Sequence, residues 1–216
     1  MQIAIGLYEG FTCLDAIGPY QVLTNVPGTE VVVCAEQKGE LADDNGLLHF
    51  DIRHTFEDVP TPELLLVPGG VITRKLARDG HPIVDWIRAA HPHTTYTTSV
   101  CTGALLLGAA GVLDGLEATT HWCAYEHLRG YGATPTERRV VQQGKVWTAA
   151  GVSAGIDLAL TLVAEIHGAE VSQAVQLGLE YDPQPPYDSG APSKAPAEIY
   201  ELVSAVMAAE EAKLIS

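Results

Sequence analysis

A chain of 216 residues in which 47% of side chains are apolar can bury one substantial core, so a single domain over residues 1–216 is expected. The formal charge of −15, from 27 acidic residues against 12 Lys and Arg, excludes nucleic acid as a partner and disfavours polyanionic substrates, because phosphate binding needs clustered cations. Cys13, Cys34, Cys101 and Cys123 show neither CxxC nor His-rich ligand spacing, which argues against a disulfide scaffold and against a zinc site.

The opening residues Met1-Gln2-Ile3-Ala4-Ile5-Gly6-Leu7-Tyr8 lack a basic segment and a long apolar segment, and no apolar run approaches a membrane span. A cytoplasmic protein with reduced thiols and no membrane partner is expected. Ile3 to Tyr8 is a short, nearly continuous apolar run, and Val31 to Ala35 and Leu64 to Val67 repeat it, as strands buried on both faces of a parallel sheet do. Leu14, Ile17 and Val22 recur at helical spacing after the first strand. Ile83, Val84 and Ile87 do the same before the β-branched run from Thr94 to Val100. This alternation of strand and helix predicts a doubly wound α/β sheet. A helix from Ala104 to Ala110, a turn at Leu113-Asp114-Gly115 and a helix from about Trp122 to Tyr131 come next. Val140 to Gln143 and Val146 to Ala149 flank Gly144-Lys145 as a hairpin. Ala154 to Ile166 reads as a helix capped by Ser153, and Glu170 to Leu179 as another. Residues 181–196 are too proline-rich for helix or central strand. Only one amphipathic helix, over 197–216, follows them, so they are expected to form an arm packed on the domain or on a second subunit rather than a linker.

Chemistry concentrates where predicted strands end. Cys101 follows the run from Thr94 to Val100 and precedes Thr102-Gly103 and a helix, the pattern of a nucleophile elbow. The amides at the helix start favour an anion, so a thiolate of lowered pKa is expected, with Gly103 allowing the helix to begin against the strand. Asp15 follows the first strand and has two roles open to it: a helix N-cap, or a carboxyl aimed at Cys101 whose raised pKa leaves a proton to donate. Val67-Pro68-Gly69-Gly70 is a glycine turn, and beside a nucleophile the Gly70 N–H can join that of Thr102 as an oxyanion hole. His121 ends the segment Ala118-Thr119-Thr120 and can orient a substrate or hold a proton near neutrality. Ile17, Val71 and Trp122 are candidate apolar linings, suited to a small neutral organic substrate.

Ser99-Val100-Cys101-Thr102-Gly103, Leu107-Gly108-Ala109-Ala110-Gly111 and Ala118-Thr119-Thr120-His121-Trp122 resemble the DJ-1/PfpI superfamily. Leu14-Asp15-Ala16-Ile17-Gly18-Pro19 and Gln176-Leu177-Gly178-Leu179-Glu180-Tyr181-Asp182-Pro183, with Pro185-Pro186, are similar to its isonitrile hydratase branch. The resemblance implies a flavodoxin-like three-layer α/β/α sandwich with a mostly parallel sheet, a homodimer, and neither metal nor organic cofactor. It implies Cys101 as nucleophile, Asp15 as its acidic partner, Thr102 at the elbow, and Gly70 with Thr102 as backbone donors. In DJ-1 a Glu stands on the loop after the first strand, so Glu9 is held in reserve. PfpI-type peptidases have a His directly after the nucleophile, where this chain has Thr102. The activity implied is hydration of a small isonitrile to an N-substituted formamide. Two alternatives stay open: another thiol chemistry of the superfamily, as in glyoxalases or amidases, and a redox or ligand sensor akin to the sensor domains of AraC-type regulators. With the last helix ending the chain near Ser216, no helix-turn-helix module is expected after it.

Overall fold

In a computed structural model describing residues 1–215, with side chains through Lys213, the apolar runs become the strands of one central sheet. The first half of the chain comprises β1 (Gln2–Gly6), α1 (Cys13–Leu23), β2 (Glu30–Ala35), β3 (Gly39–Ala42), β4 (His49–Ile52), β5 (His54–Thr55), β6 (Leu64–Val67), α2 (Thr73–Asp79), α3 (Pro82–Ala90), β7 (Tyr96–Val100) and α4 (Gly103–Ala109). The second comprises β8 (Glu117–Ala118), α5 (Tyr125–Gly130), β9 (Thr134–Pro135), β10 (Val140–Gln143), β11 (Val146–Ala149), α6 (Ala154–His167), α7 (Ala169–Gly178) and α8 (Ala197–Ile215). The sheet runs β10-β11-β7-β6-β1-β2-β5, parallel except for the β10–β11 hairpin. Leu64, Leu65, Leu66 and Val67 have no exposed surface, as befits a central strand covered on both faces.

Helices cover the two faces. On one, α1 packs on α6, where Gly155 brings the helix against Pro19 and Val100. On the other, α2 and α3 pack on α4, and Trp86 stacks on Phe56 with ring centroids 4.9 Å apart while its Nε1 donates to the Val59 carbonyl. The result is the three-layer flavodoxin-like sandwich. Pairing of Ile5 with Leu66 and of Val67 with Ser99 aligns the carboxyl ends of β1, β6 and β7, so the loops that leave them converge on one spot.

Several local expectations need correction. Ser153 makes no side-chain cap for α6; its Oγ accepts instead from Arg139. The helix expected from Trp122 begins as a 3₁₀ turn over Trp122–Ala124, and α5 follows it. Residues 181–196 carry no helix or strand; Tyr181 tethers their start, its hydroxyl donating to Asp157 Oδ1 at 3.1 Å, and most of the segment is exposed. After it α8 lies over α2 and α5: Tyr200 meets Trp122 at 5.3 Å, and Glu211 Oε1 is 3.0 Å from both Arg74 Nε and His127 Nε2. The helix is not amphipathic in its setting, because Ile199, Leu202 and Val206 remain exposed on the side away from that contact. Ser216 lies outside the described residues. Among them, no helix is long and apolar enough to cross a membrane.

Candidate active site

The elbow forms where β7 ends. Cys101 has φ +55°, a left-handed conformation shared by just one other non-glycine residue among those described, and one that costs on the order of 1–3 kcal/mol. Its backbone is pinned on both sides: the N–H donates to the carbonyls of Ala149 and Ala150, and the carbonyl accepts from Thr120 Oγ1 at 2.9 Å. A Cβ on Gly103 would collide with the Val67 carbonyl, so α4 starts hard against β6 as the sequence pattern requires. The side chain of Cys101 is buried, with 5% of the residue exposed.

Asp15 comes from the first turn of α1 and does not cap it. The N-cap position is Thr12, whose hydroxyl donates to Asp44 Oδ2 at 2.8 Å. Asp15 is wholly buried; its Oδ2 accepts from the Gly69 N–H at 2.9 Å, and Oδ1 has no hydrogen-bond partner of good geometry. A Cβ on Gly69 would lie 2.8 Å from Asp15 Oδ2, 2.8 Å from Cys101 Cβ and 2.6 Å from Thr102 N. The Gly69 backbone thus abuts both Asp15 and Cys101, and no side chain fits there.

Burial dominates the electrostatics. It raises the Asp15 carboxyl to about 7, against the opposing pull of the Gly69 N–H and the Cys101 thiol, with Asp44 adding to the rise. Burial, and then the Asp15 charge, also push the Cys101 thiol up, against the N–H groups of Val152 and Thr102 that point at the sulfur. This overturns the expected low-pKa thiolate. A helix terminus is worth about 0.3–1 kcal/mol in ordinary settings, whereas full burial moves a pKa by up to roughly 3–5 units. The resting sulfur is therefore a thiol beside a carboxyl that is half ionised near neutrality.

The other candidates divide. Thr102 sits at the elbow, but its hydroxyl is spent on Gly70: Oγ1 accepts from the Gly70 N–H at 3.0 Å and donates to the Gly70 carbonyl at 2.9 Å. The Gly70 N–H is thereby withdrawn from the oxyanion role expected of it, and the donors at the sulfur are Thr102 and Val152. His121 packs on Gly151, beside Val152, with Nδ1 turned to Cys123 Sγ at 3.0 Å. Glu9 is exposed and accepts from the Ala42 N–H at 3.0 Å, outside this cluster. Ile17 is 39% exposed on the outer face of α1, not a lining of the thiol site; Trp122 lines a cavity beneath α8, and Val71 is half-buried. Gly69 and Val152 were missed. Gly69 is the neighbour of the glycine that was singled out, and Val152 stands in Ala150-Gly151-Val152-Ser153, a second strand-to-helix junction with a small-residue turn.

Known proteins resemble this chain in sequence and in fold. The sequence profile of the DJ-1/PfpI family matches residues 1–165. An isonitrile hydratase of Pseudomonas putida is 42% identical over 201 residues, covering 93% of this chain and 87% of that protein. The crystal structure of a ThiJ/PfpI family protein from Pseudomonas syringae superposes with a TM-score of 0.93 at 35% identity, covering 99% of this chain and 88% of that one. The HTH-type transcriptional regulator CdhR of Pseudomonas aeruginosa is 33% identical over 104 residues, 46% of this chain and 30% of its own length. From the elbow, the sheet order and these likenesses together, the chain belongs to the DJ-1/PfpI family.

Proposed function

We propose that the protein is a cysteine-dependent hydratase that converts a small neutral isonitrile to its N-substituted formamide. The observation that carries this reading is the buried Asp15–Cys101 pair packed against Gly69, which offers a nucleophile and one mobile proton in the same place. The terminal carbon of an isonitrile is the atom that needs both. It accepts the sulfur and then a proton, giving a thioimidate.

In this mechanism the Asp15 carboxylate takes the thiol proton as Cys101 Sγ bonds to the carbon, then returns it to that carbon. Water adds to the C=N bond of the thioimidate, and its proton passes to nitrogen. The tetrahedral adduct expels the sulfur, which regains its proton, and the formamide departs. The N–H groups of Thr102 and Val152 stabilise negative charge on sulfur in both directions. The 5% exposure of Cys101 favours a slender, linear group over a bulky acyl centre, and the dearth of cations around it favours a neutral one. The likeness to the Pseudomonas putida isonitrile hydratase supports the same substrate class.

The reading needs neither metal nor organic cofactor, and places the enzyme in the cytoplasm as a homodimer. The exposed apolar face of α1, formed by Leu14, Ile17 and Tyr20, is the surface we assign to the second copy. Incubation with an alkyl isonitrile, methylglyoxal and a simple amide in parallel tests the activity. Formamide from the isonitrile alone, lost in Cys101→Ala and Asp15→Asn, is expected. Equal rates in all three proteins would sink the mechanism, and turnover of only the other two substrates would sink the substrate class.

A further inference from the structure

A second sulfur takes no part in the chemistry assigned to Cys101, although it lies near enough to help push the Cys101 thiol up. Cys123 lies in the 3₁₀ turn before α5 and is half-buried. Its Sγ is 3.0 Å from His121 Nδ1 and 3.4 Å from Arg74 Nη2. The Cys123 backbone N–H also points at Nδ1, at 3.4 Å, which makes Nδ1 the acceptor and puts the ring proton on Nε2. Nδ1 is thus the atom that receives the thiol proton. Burial, and then Arg74, hold His121 below its ordinary pKa, so the ring is neutral and free to act as a base. Arg74 does not wander, since Glu211 holds its Nε at 3.0 Å.

The sulfur also has space in front of it. A cavity of about 390 Å³ separates the turn from α8, walled by Trp122, Tyr200, Met207 and Ala208, with Cys123 on its lining. None of the other three cysteines combines base, cation and access. Cys101 is 5% exposed beside a carboxyl, and Cys34 is buried and pushed up to about 12. Cys13 is half-buried, its thiol raised by burial and by the carboxylates of Asp43 and Asp44.

We propose that the His121–Cys123–Arg74 cluster is a second reactive site, which undergoes thiol–disulfide exchange with small aromatic or apolar disulfides admitted to the cavity under α8. His121 Nδ1 takes the proton from Cys123 while Sγ attacks one sulfur of the disulfide. The new S–S bond forms as the old one breaks, and the departing thiolate leaves with the electron pair and collects the proton from His121. The guanidinium of Arg74 stabilises the sulfur anion on the way.

Treatment with a limiting amount of 2,2′-dithiodipyridine at pH 7, a neutral aromatic disulfide, tests this through release of pyridine-2-thione and peptide mapping by mass spectrometry. Cys123 should carry the first label, at least about tenfold ahead of Cys13 and Cys101 and faster than N-acetylcysteine, with the base supplying a factor at the low end of general-base assistance. His121→Ala and Arg74→Gln should each slow that labelling while leaving the slower labelling of Cys13 unchanged. First labelling of Cys13 or Cys101 in the unaltered protein would overturn the proposal, as would a Cys123 rate no greater than that of N-acetylcysteine. So would an unchanged Cys123 rate in a His121→Ala protein whose melting curve shows it to be folded.

Discussion

Replacing Asp15 by Asn should stabilise the protein while abolishing its turnover, and pH sets the size of the gain. The buried carboxyl titrates at about 7 in the folded chain, against about 3.9 in an unfolded one. Between those values the folded state holds a proton that the unfolded state has lost. Stability contributed by this group therefore falls as pH rises, by about 1.4 kcal/mol per unit, to a total penalty of about 4 kcal/mol above pH 7. Below about pH 4 both states are protonated and the penalty is gone. Asparagine keeps the acceptor for the Gly69 N–H and never ionises. Urea denaturation of parent and variant, followed by tryptophan fluorescence from pH 4 to 8.5, cancels every other titrating group in the difference. The variant should be more stable by up to about 4 kcal/mol at pH 8, with the difference shrinking towards zero near pH 4. A difference that does not change with pH, or a parent more stable than the variant at pH 8, would refute the claim that a carboxylate is being held out of water beside Cys101.

The same titration should shape turnover: Asp15 must be ionised to take the thiol proton, so kcat/KM for formamide production should rise with pH through about 7 and fall tenfold per unit well below it, measured from pH 5.5 to 9. Thr102→Val should orphan the buried Gly70 N–H and cost about 1–3 kcal/mol in a denaturant titration, whereas Thr102→Ser, which keeps the hydroxyl, should cost much less. The proposed homodimer predicts that the parent sediments as a dimer in analytical ultracentrifugation and Ile17→Asp, on the exposed face of α1, as a monomer; a monomeric parent would refute the dimer, and a dimeric variant the assignment of its contact to α1.

What the sequence disclosed about this molecule follows the range of the forces involved. The strands at Leu64–Val67 and Tyr96–Val100, and the helices that follow β1 and Cys101, are written in local periodicity, and the fold follows from their alternation. The elbow at Cys101 was legible for the same reason, since strand, nucleophile and Gly103 are contiguous. The short helix α2 and the strands β3, β4, β5 and β9 were not, because they are polar or only a few residues long and depend on tertiary neighbours. The site was half legible. Asp15 was a choice between two local roles that only the fold could settle, and it settles on the Gly69 amide. The expected sign of the thiol shift failed because the helix terminus is adjacent in sequence, whereas the burial that outweighs it comes from segments distant in the chain, the loop of Gly69 and the turn of Val152 among them. Gly70 was named for a free amide, but the partner that consumes it, the Thr102 hydroxyl, is 32 residues away.

Gly69 limits how this site can be enlarged. Its amide holds the Asp15 carboxylate at 2.9 Å, and its α-carbon faces Cys101 so closely that a Cβ there would lie 2.8 Å from the Cys101 Cβ. Redesign for bulkier substrates therefore has little latitude at Gly69, where an added carbon meets Asp15 and Cys101, or at Gly70, where it meets the Gly10 carbonyl. Latitude exists at His121, which packs beside Val152 on a segment tied by the Thr119 N–H to Thr148 Oγ1 and by the Thr120 hydroxyl to the Cys101 carbonyl, and library design is best concentrated there.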